Sequence, residues 1–216
     1  MFFEPQLMGK EPLLRIPTKG SSSKDLSLKE FRLSLREQAQ SLNSWELLPQ
    51  TFLKLLQEKS YSHVGIFIPK ADWAEPKNIV TLSLELLAKY FPHTTLLGPK
   101  LSGDEMTFHR LSLDSIVAGP LGTQHIASDE KAVIPDLLLL PALACTLSGE
   151  RLGRGKGYYD RYMAQNPQLT SCVVTHSSFL FDELPSHFFH KGDQKVHSVL
   201  TEKEFIKIKN GNEVQT

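Results

Sequence analysis

Four consecutive leucines, Leu137 to Leu140, stand between Asp136 and Pro141. A run so short and wholly apolar leaves no face for water, which is the condition of a strand buried in a parallel sheet with helices on both sides. Proline closes the run. Beyond it lies a glycine-rich stretch at residues 151–160, RLGRGKGYYD, followed by a sequence able to start a helix at Tyr158. Strand, loop and helix in that order predict an open α/β sheet. Such sheets bind ligands beyond the carboxyl ends of their strands, where residues 142–157 fall.

The glycine-rich stretch has the chemistry of a phosphate site. Gly153, Gly155 and Gly157 lack Cβ atoms, so the backbone can take positive φ angles and turn several N–H groups toward one anion. Arg154 and Lys156, interleaved between them, add positive charge. A helix starting at Tyr158 would aim its unpaired N–H groups and its dipole at the same point. Familiar templates are absent: a P-loop needs Ser or Thr after Gly-Lys, yet Lys156 is followed by Gly157 and Tyr158, and the glycine spacing is not that of a dinucleotide fingerprint. The alternative is a flexible turn with solvated cations. The preceding buried strand favours the binding reading.

Helical spacing of Leu28, Phe31, Leu35, Ala39 and Leu42 predicts a first amphipathic helix, and Leu47, Leu48, Phe52, Leu55 and Leu56 predict a second. Residues 63–68 are β-branched and apolar and end at Pro69, as a first core strand would. A helix over about residues 78–90 follows. Further strands are expected at residues 94–97, 107–110, 137–140 and 171–175. The fold class is therefore α/β, three-layered, with a mostly parallel sheet flanked by helices. Residues 26–204 are read as one domain, residues 1–25 as a mobile N-terminal tail and residues 205–216 as a polar C-terminal tail.

The length of 216 residues suffices for a sizeable single core. Lys plus Arg and Asp plus Glu number 24 each, so no overall field draws the chain to nucleic acid or acidic membranes, and any anion site must be local. The two cysteines, Cys145 and Cys172, sit in apolar contexts and read as reduced thiols of a cytoplasmic protein. The richest apolar run, residues 133–147, is cut by prolines and a threonine and cannot span a bilayer. His187, His190, Asp193 and His197 cluster in sequence, but without thiolates or a ligand spacing they do not read as a zinc site.

Residues 141–163, PALACTLSGERLGRGKGYYDRYM, resemble the signature of the 5-formyltetrahydrofolate cyclo-ligase family, also called methenyltetrahydrofolate synthetases. The family's RLG, glycine-rich stretch and GYYD are present. Ala142 replaces its usual glycine, and Cys145-Thr146 replaces its usual Phe-Asp, predicting a slightly altered pocket. Met106-Thr107-Phe108-His109-Arg110, Gly119-Pro120-Leu121-Gly122, Asp182-Glu183-Leu184-Pro185 and Asp193-Gln194-Lys195-Val196 resemble further family segments in the same order.

The resemblance implies a sugar-phosphate isomerase or CoA-transferase-like sheet. It also implies ATP-dependent cyclisation of 5-formyltetrahydrofolate to 5,10-methenyltetrahydrofolate, releasing ADP and phosphate, by a monomer using Mg²⁺. By match to the family, Arg151, Leu152, Gly153, Arg154, Gly155, Lys156, Gly157, Tyr158 and Tyr159 would hold ATP, with Arg154 and Lys156 acting on the transferred phosphoryl group. Asp160 and Asp193 would hold the magnesium ion; on residue type alone, Asp160 better suits the positive end of a helix. From the first helix the family supplies a Lys-x-x-x-Arg pair. Here Leu28 takes the lysine position, with Lys29 beside it, leaving Lys29 and Arg32, or in a shifted register Arg32 and Arg36, to reach the nucleotide. Ile68 and Trp73 would face the reduced folate. Trp73 stands where the family has a pterin-binding glutamate, with Asp72 and Glu75 nearby. That departure, with Leu28 and Cys145-Thr146, keeps open a non-catalytic nucleotide- or folate-binding relative.

Overall fold

The computed structural model describes residues 27–42, 44–70, 76–119 and 122–208. The tail at residues 1–25 and Trp73, with Asp72 and Glu75, lie outside the described residues. Helix α1 (Leu28–Ala39) starts at Ser27, whose hydroxyl accepts the Glu30 N–H while the Glu30 carboxylate accepts the Ser27 N–H. Two of the donors that a helix start leaves open are thereby satisfied. Next come α2 (Gln50–Lys59), β1 (His63–Gly65), α3 (Ile79–Tyr90), β2 (Thr95–Ser102) and β3 (Glu105–Arg110). The short hairpin β4 (Ile116–Ala118) and β5 (Gln124–Ile126) precedes the leucine strand β6 (Leu137–Pro141). The chain ends in β7 (Ala144–Thr146), β8 (Arg151–Leu152), α4 (Tyr158–Gln165), β9 (Thr170–Val174), β10 (Leu180–Phe181), β11 (Ser198–Leu200) and β12 (Phe205–Lys207).

Seven strands form the main sheet in the order β12-β11-β9-β6-β1-β2-β3. The five from β11 to β2 are parallel, and β12 and β3 close the two edges antiparallel. The leucine run is the central strand and is covered on both sides. Leu137 and Leu139 pack with α2 and α3, through Phe52, Leu56, Ile79 and Leu87; Leu138 and Leu140 pack on the opposite face with Tyr162 and Met163 of α4. Each fully buried leucine contributes about 1.5–3 kcal/mol relative to exposure. A second sheet, β10-β7-β8, joins α1 in an apolar cluster that includes Phe31, Leu35, Leu152, Phe179 and Phe188.

Four expectations need correction. Regular pairing of the first strand stops at Gly65 rather than Ile68; Ile66 still donates to the Leu97 carbonyl at 2.9 Å, but Phe67 and Ile68 are outside the strand. Residues 142–157 are not one loop, because β7 and β8 pair antiparallel within them, so that only residues 153–157 separate β8 from α4. Phe205–Lys207, assigned to the polar tail, is a sheet edge, since Phe205 and Ile206 pack against opposite faces of the core. Leu47 precedes α2 and is 68% exposed, outside the helical stripe. Cys145 and Cys172 are buried free thiols, and burial pushes each up to about 12. No helix among the described residues is long and apolar enough to cross a membrane.

Candidate active site

A cleft of about 610 Å³ opens beyond the carboxyl ends of β1 and β6, within the range of small-molecule sites. Phe67 and Ile68, just past β1, and Pro141 and Ala142, at the end of β6, form its floor. Residues 151–161 form one wall, and Arg32 and Arg36 of α1 another. Pro99, Leu101 and Met106 of the β2–β3 hairpin supply an apolar side.

The wall of residues 151–161 has a built conformation. Gly155 (φ 89°) and Gly157 (φ 66°) occupy the left-handed region that side chains other than glycine's avoid. A Cβ on Gly155 would come within 3.3 Å of the Arg32 guanidinium, so the loop and α1 approach closely there. Gly157 caps α4, whose first turn points back into the loop. Among the described residues nothing accepts the N–H groups of Gly157 or Tyr158. Lys156 is exposed and Arg154 half-buried along the cleft.

Behind the loop, Arg151 and Asp160 form a nearly buried ion pair, with Nη2 2.7 Å from Oδ1 and side-chain exposures of 4% and 16%. The same Asp160 oxygen accepts the Gln194 N–H at 3.2 Å, and Arg151 donates a longer bond of 3.4 Å to the Pro141 carbonyl. Arg151 thus ties β8, the end of β6 and the start of α4 together. Asp160 holds that frame as well as facing the cleft.

Asp193 belongs to a turn in which its carboxylate accepts the His190 N–H at 2.9 Å. The turn follows Phe188, stacked on Phe31 of α1 with centroids 5.2 Å apart, and this packing brings Asp193 and Arg32 to the same cleft. Burial lowers the Arg32 guanidinium from its usual value, and the Asp193 charge works against that shift. Its Nε is buried with no hydrogen-bond partner among the described residues.

The residues expected from sequence largely converge. Arg32, Arg151, Leu152, the three glycines, Arg154, Lys156, Tyr158, Tyr159, Asp160, Asp193 and Ile68 all line the cleft. Lys29 does not: it is exposed in the first turn of α1, and Arg36, one turn beyond Arg32, lines the cleft instead. Leu28 packs into the apolar cluster under α1. Cys145 and Thr146 are fully buried and do not line the cleft, whereas Ala142, the other departure in that segment, does. Thr146 donates to Glu150 Oε2 at 3.3 Å, so Glu150 places a carboxylate beside the position where the family carries Asp. Sequence reasoning missed Lys70, Leu101 and Met106, which reach the cleft only through the β1–β2–β3 arrangement. His197 is taken up by the fold, its Nδ1 accepting the Ser171 N–H at 3.1 Å.

A mostly parallel, helix-flanked sheet with a cationic glycine loop beyond its carboxyl edge defines an α/β protein with its cleft at the position where open sheets of this class bind ligands. The model of the 5-formyltetrahydrofolate cyclo-ligase family matches residues 27–202, and the chain belongs to that family. A 5-formyltetrahydrofolate cyclo-ligase from Mycolicibacterium smegmatis is 39% identical over 72 residues, spanning 33% of this chain but only 36% of that relative. The solved structure of Aquifex aeolicus 5,10-methenyltetrahydrofolate synthetase superposes with a TM-score of 0.60 at 28% identity, covering 90% of this chain and 91% of that one. The Mycoplasma pneumoniae 5,10-methenyltetrahydrofolate synthetase has the same fold at 19% identity, with a TM-score of 0.59 over 82% of this chain and all of that one (100%).

Proposed function

We propose that this protein catalyses the ATP-dependent cyclisation of 5-formyltetrahydrofolate to 5,10-methenyltetrahydrofolate, releasing ADP and phosphate. The observation that carries the reading is the convergence of residues 151–159 with Arg32 on one cleft whose other side is apolar, in a chain of this family. A formamide oxygen is a poor leaving group. Transfer of the γ-phosphoryl group to that oxygen forms an O–P bond and breaks the bond to ADP. The neighbouring folate amine then attacks the activated carbon, and the C–O bond breaks as phosphate leaves. No protein nucleophile is needed; positioning and charge neutralisation do the work.

In this reading the backbone N–H groups of the loop cradle the triphosphate, and Arg154 and Lys156 offset charge on the transferred group. Arg32 and Arg36 approach from α1. The floor at Phe67 and Ile68 and the side at Leu101 and Met106 suit a flat heteroaromatic ring. Among the described residues no three His, Cys, Asp or Glu groups cluster as a metal cage. Asp160 and Asp193 nevertheless share the cleft, and Mg²⁺ is commonly held by one or two carboxylates together with substrate phosphates. The donor set fits that mode, so these two residues would hold the ion, which supplies charge neutralisation to the phosphates. Two buried free thiols accord with a reducing compartment, and we assign the enzyme to the cytoplasm.

Purified protein incubated with 5-formyltetrahydrofolate, ATP and Mg²⁺ should form the methenyl chromophore with one phosphate released per product. Lys156→Ala should slow turnover at least about tenfold through loss of transition-state charge stabilisation. Absence of product from the wild type refutes the activity, and an unchanged rate in the variant refutes the role of Lys156.

A further inference from the structure

We propose that Arg161, one turn into α4, is a positioning residue that sets the phosphate loop by holding a backbone carbonyl; the proposal rests on residues 153–157 being the nucleotide loop. Its Nη1 donates to the Lys156 carbonyl at 2.9 Å, and its Nη2 donates to the Asp104 carbonyl at 2.9 Å. The guanidinium therefore bridges the loop to the turn between β2 and β3. Tyr158 makes the same link, donating its hydroxyl to the Gly103 carbonyl at 2.8 Å, and the Arg161 guanidinium lies 5.2 Å from the Tyr158 ring centroid.

The consequence lies in the peptide between Lys156 and Gly157. It is trans, so its C=O and N–H point in opposite directions. Holding the carbonyl on Arg161 turns the Gly157 N–H away from the guanidinium, where nothing among the described residues accepts it. A fixed carbonyl is thus a fixed donor on the opposite side of the peptide. A Cβ on Gly157 would sit 3.0 Å from Arg161 Nη1, so the glycine is needed for this contact as well as for its φ of 66°. Without Arg161 the peptide is free to flip and present its oxygen, a negative dipole end, to the phosphate. Preorganised donors gain their value by not having to reorganise when the anion arrives.

The test is calorimetric binding of ATP, of inorganic tripolyphosphate and of 5-formyltetrahydrofolate to wild type, Arg161→Met and Arg161→Lys, with thermal melting of each protein. Methionine keeps a stem to cover Tyr158 and removes the donors; lysine keeps the charge, but its single ammonium cannot span both carbonyls. The expected result is ATP and tripolyphosphate affinity about tenfold weaker in both variants, the order of one charge-assisted hydrogen bond. Folate affinity should stay within about twofold and melting within about 2 °C, as for other surface substitutions. Wild-type affinity in Arg161→Lys would mean that the cation acts as a plain charge and would overturn the positioning role. So would equal binding by all three proteins, or equal losses of both ligands accompanied by a lower melting temperature. A wild type that binds neither ATP nor tripolyphosphate overturns this role together with the proposed function.

Discussion

Asp160→Asn separates the structural contact that this carboxylate makes from the metal-binding role proposed for it. Asp160 faces the cleft, yet its Oδ1 lies 2.7 Å from Arg151 Nη2, and the arginine side chain is only 4% exposed. The substitution is isosteric and keeps an oxygen for both Arg151 and the Gln194 N–H, but it removes the negative charge that compensates a buried cation. Breaking a buried pair by deleting one partner costs about 3–5 kcal/mol. Because the hydrogen-bonding oxygen remains, the lower end, about 3 kcal/mol, applies here. In a domain of this size about 2–4 °C is lost per kcal/mol, so the melting temperature of the protein free of nucleotide and metal should fall by about 6–12 °C. Differential scanning calorimetry without ligands, compared with wild type, measures this directly. A metal-binding role alone predicts lost turnover with unchanged melting. A fall of less than about 2 °C would therefore refute the structural half of the assignment.

Gly155→Ala forces a Cβ into a backbone with φ of 89° and toward Arg32 Nη1 at 3.3 Å. It should cost about 1–2 kcal/mol and weaken ATP binding, whereas Gly192→Ala, whose Cβ would meet nothing within 4 Å, should be near neutral in both assays. Burial raises Cys145 and Cys172 to about 12, so neither should react with a thiol reagent at about pH 8 until the protein is unfolded by guanidinium. The native state then holds more protons than the unfolded chain above the ordinary thiol value. The stabilisation these groups give is complete below that value and is lost as pH rises toward about 12, which denaturant titrations across the alkaline range would detect. Stability that rises over that range would contradict the burial of both thiols.

Local chemistry decided what the sequence revealed. The leucine run reads as a two-sided strand because nothing polar interrupts it, and it is the central strand of the sheet. The glycine loop reads as an anion site because its alternating glycines and cations need no distant contact to be recognised. The choice among the α1 cations does need one. Arg32 and Arg36 reach the cleft and Lys29 does not because the stacking of Phe31 on Phe188 fixes how α1 docks, a contact between segments far apart in the chain. Strands of two or three residues, such as β7, β8 and β10, carry too little periodicity to be read. Arg161 was equally hidden, because it acts on backbone carbonyls that leave no mark in a pattern of side chains.

The central claim is that the loop of residues 153–157 holds the triphosphate. A crystal structure with Mg²⁺ and a non-hydrolysable ATP analogue tests it most directly. The β- and γ-phosphates are expected against the backbone N–H groups of Gly155, Gly157 and Tyr158, with Arg154 and Lys156 turned toward them. A nucleotide bound elsewhere, with this loop empty, would contradict the account.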